Sequence, residues 1–360
     1  MKYIKEYRNK VLIDKLLSQI YSKATGSYSF MEVCGGHTMA IHRFGIPSLL
    51  PGNINLLSGP GCPVCVTSVE FIDKAIEYAH NNFVIATYGD LIRVPGSYSS
   101  LEKEKASGKD IRIVYSLLDA LTIARENPKK QVVFLGIGFE TTAPGTAVGI
   151  VEAKKQELNN FMVLSSHKLM PPAMEGIIED GIPLDGYLCP GHVSTITGSE
   201  IYRNIPEKYG LGCVIAGFEP VDILQSILML IEQMKNKTPS VEIQYKRAVK
   251  PAGNPRAREY MSEVFEEADE WWRGLGILKN SGMQLKEKYR DFDAASRFPV
   301  DVNSKEHDNG CICGEILKGK KQPTDCPLFE SICNPENPVG ACMVSSEGAC
   351  QAFYKYKDYE

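Results

Sequence analysis

No uncharged apolar run approaches the roughly 18 residues that a membrane-crossing helix requires, and the opening Met1-Lys2-Tyr3-Ile4-Lys5-Glu6-Tyr7-Arg8 is interrupted by charge every few residues. A soluble, cytoplasmic protein is expected. A polybasic block is also missing: 40 basic and 44 acidic residues are mixed along the chain for a net charge of −4. That balance argues against nucleic acid and anionic membrane as partners. There is no internal repeat and no low-complexity tract. Eleven cysteines, an odd number, in 360 residues fall far below the density of a secreted disulfide scaffold. In a reducing compartment, cysteines at this frequency point to metal, cluster or redox chemistry rather than structural bridges.

The cysteines are unevenly placed. Cys34, Cys62 and Cys65 lie early, Cys189 and Cys213 sit singly in the middle, and Cys311, Cys313, Cys326, Cys333, Cys342 and Cys350 crowd the last 50 residues. The early pair stands in Ser58-Gly59-Pro60-Gly61-Cys62-Pro63-Val64-Cys65-Val66-Thr67, after the strand-like Ile54-Asn55-Leu56-Leu57 and before a segment, Ser68 to His80, with helical apolar spacing. At such a strand-to-helix turn, free amides and the helix dipole favour a thiolate and are expected to lower a cysteine pKa from roughly 8.5. The spacing suits a redox dithiol and is also half of many zinc sites. No second pair with two intervening residues exists, so a four-cysteine zinc ribbon lacks support. Inert burial is the plain alternative.

From the N-terminus, residues 5–24 read as an amphipathic helix, and Tyr28 to Val33 as a strand that delivers Cys34 into Gly35-Gly36-His37-Thr38. Strand-like and helix-like segments then alternate through Phe83–Ala86, Ile111–Val114, Ser116–Arg125, Gln131–Leu135, Phe161–Leu164, Cys213–Ala216 and Pro220–Lys235. That alternation predicts an α/β fold with parallel sheets. The Asn127-Pro128-Lys129-Lys130 break divides it into α/β domains over residues 1–127 and 128–240, followed by a helical connector over 241–300 and a small cysteine-rich domain over 301–360. In parallel sheets the Cys34 and Cys62/Cys65 loops share the carboxyl edge, where sites form. Three thiolates converging there suit Fe(II) or Zn(II).

Gly136-Ile137-Gly138-Phe139-Glu140-Thr141-Thr142-Ala143-Pro144-Gly145 lacks the P-loop lysine and the third glycine of a dinucleotide fingerprint. Glu140 either presents a carboxylate to the thiol crevice or caps the next helix. Ser165-Ser166-His167-Lys168 and Cys189-Pro190-Gly191-His192-Val193-Ser194 read as capped turns, and Cys189 and Cys213 as core. In the tail, Cys311, Cys326, Cys333 and Cys350 are separated by 14, 6 and 16 residues. This spacing leaves an iron-sulfur cluster, zinc and disulfides open, with the cluster favoured because its thiolates come from separate loops around a larger object.

Taken together, Cys34-Gly35-Gly36-His37-Thr38, Gly59-Pro60-Gly61-Cys62-Pro63-Val64-Cys65-Val66-Thr67, Gly138-Phe139-Glu140-Thr141-Thr142-Ala143-Pro144 and the tail from Cys311 to Tyr356 make the chain similar to the HypD family of [NiFe]-hydrogenase maturation factors. No motif position departs from the family pattern. The resemblance implies two α/β domains and a small iron-sulfur domain around a cleft. It implies that Cys311, Cys326, Cys333 and Cys350 hold a [4Fe-4S] cluster, with Cys313 and Cys342 as a separate redox thiol pair. It further implies a redox-active scaffold that acts with a HypC-type small chaperone, and through it with the hydrogenase large subunit. Together they hold iron as Fe(CN)2CO, with cyanide from the C-terminal thiocyanate of a HypE-type donor. Cys34 is then an iron ligand, His37 a group that orients or protonates its neighbours, and Cys62/Cys65 a dithiol couple; with Glu140 these form the candidate catalytic set. The alternative is a stand-alone thiol-disulfide oxidoreductase fed by a cluster.

Overall fold

The strand and helix segments assemble into two mostly parallel sheets that share one interior. The computed structural model describes residues 5–305 and 310–357. Its strands are β1 (Tyr28–Glu32), β2 (Ile54–Ser58), β3 (Val84–Thr87), β4 (Ile111–Ile113), β5 (Val132–Gly138), β6 (Phe161–Lys168), β7 (Gly186–Pro190), β8 (Gly212–Ala216), β9 (Val241–Ile243), β10 (Phe265–Trp272) and β11 (Gly276–Leu285). One sheet has the order β2-β1-β7-β8-β9, the other β10-β11-β6-β5-β3-β4. All neighbours in the first run parallel, whereas β10 and β11 join the second as an antiparallel hairpin on β6.

Side-chain alternation along each strand divides the core into layers. Met31, Val33, Tyr187, Cys189, Cys213 and Ile215 from the first sheet pack into the same cluster as Ile85, Val133, Leu135, Met162 and Leu164 from the second. Their neighbours point outward. Phe30, Leu188 and Val214 meet Ile20 of helix Lys10–Lys23 and Ile223, Ile227 and Leu230 of helix Pro220–Asn236. Val84, Val132, Phe134 and Phe161 meet Leu117 and Leu121 of helix Leu117–Glu126 and Ala147 and Ile150 of helix Ala143–Lys155. Cys313, Ile316, Leu317, Cys342 and Cys350 belong to the inner cluster, so the tail plugs the space between the sheets. No described helix is long and apolar enough to cross a membrane.

The sheets do not follow the expected boundary at 127/128. β1 and β2 lie in one sheet, β3 to β6 in the other, β7 to β9 back in the first, and β10–β11 in the second. The Asn127–Lys130 break is instead a helix end inside the second sheet. Asn127 caps helix Leu117–Glu126, and the Asn160 amide donates to the carbonyls of Ala124, Asn127 and Lys130. The 241–300 segment, expected to be a helical connector, contains only one long helix, Pro255–Val264, followed by the β10–β11 hairpin. The run Phe265-Glu266-Glu267-Ala268-Asp269-Glu270-Trp271-Trp272 hides its strand character because, on this edge strand, only Phe265 and Trp272 are buried and charged side chains fill much of the rest.

Trp272 anchors that hairpin. It is fully buried, its indole N–H donates to Ser281 Oγ at 2.9 Å, and its ring stacks on Phe139 with centroids 5.9 Å apart. Trp272→Ala is expected to cost about 3–5 kcal/mol and to lower the urea midpoint; an unchanged midpoint would show that the hairpin adds nothing to stability.

Candidate functional site

The site begins where β1 and β2 end side by side. Their register pairs Glu32 with Ser58, so the two following loops leave the sheet at one level. Backbone bonds lace them together: Gly59 N–H donates to Glu32 O at 2.8 Å, and Gly35 N–H donates to Gly61 O at 3.0 Å. A Cβ on Gly61 would lie 2.2 Å from the Cys34 nitrogen, so only glycine permits this approach. Cys34 thereby adjoins the Cys62 loop, as expected for thiols at a shared carboxyl edge. Cys62 and Cys65 form a disulfide, with Cα atoms 5.2 Å apart, around the short helix Pro63–Val66.

The electrostatics at Cys34 oppose the expected thiolate. Burial, with the nearby Glu347 and Glu32 carboxyls, pushes the Cys34 thiol up to about 12, despite hydrogen bonds from the His37 and Gly36 amides of helix Gly35–Arg43. Glu32 is itself raised to about 8 by burial; its oxygens accept from Cys34 N–H at 2.9 Å and from Thr38 Oγ. His37 is fully buried, and burial lowers its pKa to about 4. Its Nε2 lies 3.2 Å from Ala216 O and 3.0 Å from Gly217 O and donates to both. Its Nδ1 is buried without a partner among the described residues. The ring is therefore neutral near pH 7 and offers an acceptor rather than a proton. Phe218 stacks on His37 at 4.6 Å between centroids and on His192 at 4.0 Å.

Glu140 stands elsewhere. Its Oε1 accepts from Met170 N–H at 3.1 Å and its Oε2 is buried without a partner among the described residues. It lines a separate cleft of about 680 Å³ with Pro171, Thr197, Arg258, Phe265 and Met283. Thr142, not Glu140, precedes helix Ala143–Lys155. Ser166 and Lys168 are structural: the Lys168 ammonium, 1% exposed, meets Glu270 at 3.0 Å and donates to Trp271 O at 2.8 Å, tying β6 to the hairpin. Cys189 and Cys213 are fully buried core, as expected.

The tail cysteines gather. Cys311, Cys313, Cys326, Cys333 and Cys350 line one apolar cavity with Ile316, Leu328, Phe329, Gly340 and Met343. Cys313 hydrogen-bonds with Cys342, and it also lies 3.2 Å from Cys311 between sulfurs and hydrogen-bonds with Cys350. Those bonds hold Cys350 down, to about 6, while raising Cys342 well above the usual thiol range. No group of three or more His, Cys, Asp or Glu among the described residues is disposed to hold a single metal ion. Four thiols from separate loops around one cavity suit a larger, sulfide-bridged object instead. Gly340 fits that reading, because a Cβ there would come within 2.5 Å of both the Cys311 and Cys313 sulfurs and fill the cavity wall.

The tail also covers the first two loops. Cys65 Sγ lies 3.8 Å from Ala341 O, in the turn Ala341–Met343 that carries Cys342. Helix Ala349–Tyr356, with Cys350, packs on helix Gly35–Arg43, and Glu347 sits against Gly35. Sequence reasoning missed Glu32, Phe218 and Glu347. An acid two residues before Cys34, inside an apolar strand, was a readable sign of a buried carboxyl; Phe218 and Glu347 had no local signal.

The family model HypD, described as "Hydrogenase formation hypA family", matches residues 11–357. The hydrogenase maturation factor HypD of Azotobacter vinelandii is 46% identical, with 99% of this chain and 97% of that protein covered. That of Cupriavidus necator is also 46% identical over 99% and 97%. That of Escherichia coli is 43% identical over 100% and 99%.

Burial makes Glu140 a pH-sensitive element. Its pKa rises from 4.5 to about 7 on folding, so between those values the folded chain keeps a proton that the unfolded chain releases. Wild-type stability from this group is thus full below about pH 4.5 and falls as pH climbs to about 7. Glu140→Gln keeps an acceptor for Met170 and removes the loss, gaining up to about 3 kcal/mol over wild type above pH 7. Urea curves at several pH values check this; parallel wild-type and variant profiles would refute it.

Proposed function

Because the chain belongs to the HypD family of hydrogenase maturation factors, we propose that it is a redox-active scaffold on which iron acquires cyanide and carbonyl ligands to become Fe(CN)2CO. The observation that carries this reading is the lacing of the Cys34 loop to the Cys62–Cys65 loop beneath a cysteine-rich tail. In it, Cys34 supplies one sulfur to the iron cargo, and a HypC-type chaperone, which later reaches the hydrogenase large subunit, supplies another. Its high pKa in the empty protein means that iron must displace the thiol proton on binding. His37 Nδ1, buried and uncharged, accepts a hydrogen bond beside the cargo, held in place by Nε2 and the Phe218 ring.

Cyanide release needs two electrons. The reduced Cys62 and Cys65 thiols supply them to a thiocyanate carried by a HypE-type donor: its S–C bond breaks, a disulfide forms between Cys62 and Cys65, and the two thiol protons leave on the donor thiol and on hydrogen cyanide. For a two-electron couple, roughly 30 mV corresponds to about 1.4 kcal/mol, so small shifts set its direction. Cys311, Cys326, Cys333 and Cys350 would hold a [4Fe-4S] cluster, whose chemistry when bound is electron supply. The packing of Cys65 on the Cys342 turn supports a thiol relay through Cys313 and Cys342.

Cys34→Ala is expected to keep the visible chromophore of the tail but to abolish iron-cyanide infrared bands in the anaerobically purified complex. Bands of wild-type intensity would remove Cys34 from the ligand set. Absence of such bands from the wild-type complex, with disulfide exchange retained, would favour a stand-alone oxidoreductase.

A further inference from the structure

The tip of the β10–β11 hairpin, Arg273-Gly274-Leu275, belongs to no motif discussed above, yet it is wedged between the two thiol centres. Arg273 N–H donates to Val66 O at 3.0 Å and its Nε donates to Thr67 O at 3.0 Å, the two carbonyls just beyond Cys65. On the other side, Gly274 lies back to back with Gly314, which follows Cys313; a Cβ on Gly274 would come within 2.5 Å of Gly314 Cα. Arg273 lines a cleft of about 350 Å³ with Cys311, Cys313, Glu315 and Gly340. Its Nη2 is buried and has no hydrogen-bond partner among the described residues.

A buried guanidinium nitrogen without a partner is costly unless negative charge faces it. Glu315 shares the cleft but is exposed, so water screens its charge. The remaining candidates in the cleft are the sulfurs of the buried Cys313 and the half-buried Cys311.

We propose that Arg273 is a positioning residue that clasps the Cys62–Cys65 loop and, through its fixed positive charge beside Cys311 and Cys313, raises the reduction potential of the centre that the tail cysteines hold. The inference rests on the assignment of those cysteines to a [4Fe-4S] cluster. A cation lining the same cleft stabilises the state carrying the added electron more than the oxidised one. Arginine suits the place because its planar fork reaches the Thr67 carbonyl and the cleft at once.

The test is a dye-mediated redox titration of the anaerobically purified full-length chain, followed by visible absorption and electron paramagnetic resonance, with iron and sulfide analysis on the same samples. Arg273→Met is expected to retain iron and sulfide while the oxidised form gains about tenfold over the reduced one at a given potential, about 59 mV toward negative values for a one-electron couple. Arg273→Lys keeps the charge and stays close to wild type. Should Arg273→Met fail to fold, Arg273→Gln, which keeps a donor for Thr67, carries the same comparison. A wild-type midpoint in the uncharged variant overturns the role of Arg273 and leaves the cluster assignment standing. Wild-type protein without iron or sulfide overturns both.

Discussion

The in-register parallel pairing of β1 with β2 is the constraint on which the site depends. A parallel ladder that sets Glu32 against Ser58 ends both strands at the same height, and their outgoing loops then compete for one volume. The conflict is resolved by glycine, since Gly61 lets the second backbone lie against Cys34 where any side chain would collide. The Gly35-to-Gly61 and Gly59-to-Glu32 hydrogen bonds turn that approach into a fixed geometry. Displacing either strand by one residue would reverse the side-chain alternation and separate the sulfurs.

The second sheet and the tail complete what this pairing begins. Because both sheets turn alternate residues toward a common interior, the tail can be held between them with very little regular structure of its own. Its short helices Cys313–Leu317 and Ala349–Tyr356 bury one side each in that interior while their cysteines face a shared cavity. The chain weaves between the sheets as it runs, so neither sheet is a separate folding neighbourhood. The β10–β11 hairpin closes the arrangement by carrying the buried Trp272 inward and Arg273 to the edge of the Cys62 loop.

A common electrostatic feature runs through the interior. Cys34, Glu32, Glu140 and His37 are all buried, and in each the shift favours the uncharged form. Around Cys34, Glu32 and His37 desolvation thus produces a neutral pocket, while Glu140 shows the same effect in its separate cleft. At Cys34 the amides of the following helix favour a thiolate, but they are outweighed by the loss of water and by two neighbouring carboxyls.

The α/β class, the strand-loop placement of Cys34 and Cys62/Cys65, and the helices Lys10–Lys23, Val69–His80, Leu117–Glu126 and Pro220–Asn236 were legible because each rests on local signals: apolar periodicity, Ser caps such as Ser68 and Ser116, and glycine-rich turns. The thiol spacings likewise singled out the early and the tail cysteines, which the structure gathers at one loop pair and around one cavity. The partners of those residues were decided by tertiary structure alone. Which sheet a strand joins, whether Glu140 faces the thiols or another cleft, that Phe218 lies between two histidines, and that Glu347 reaches back to Gly35 all depend on contacts between residues distant in the chain. Local sequence reports what a segment tends to become. It carries no measure of contact with remote neighbours, and here such contacts set the place of the β10–β11 hairpin on β6 and, through burial, the protonation of the site.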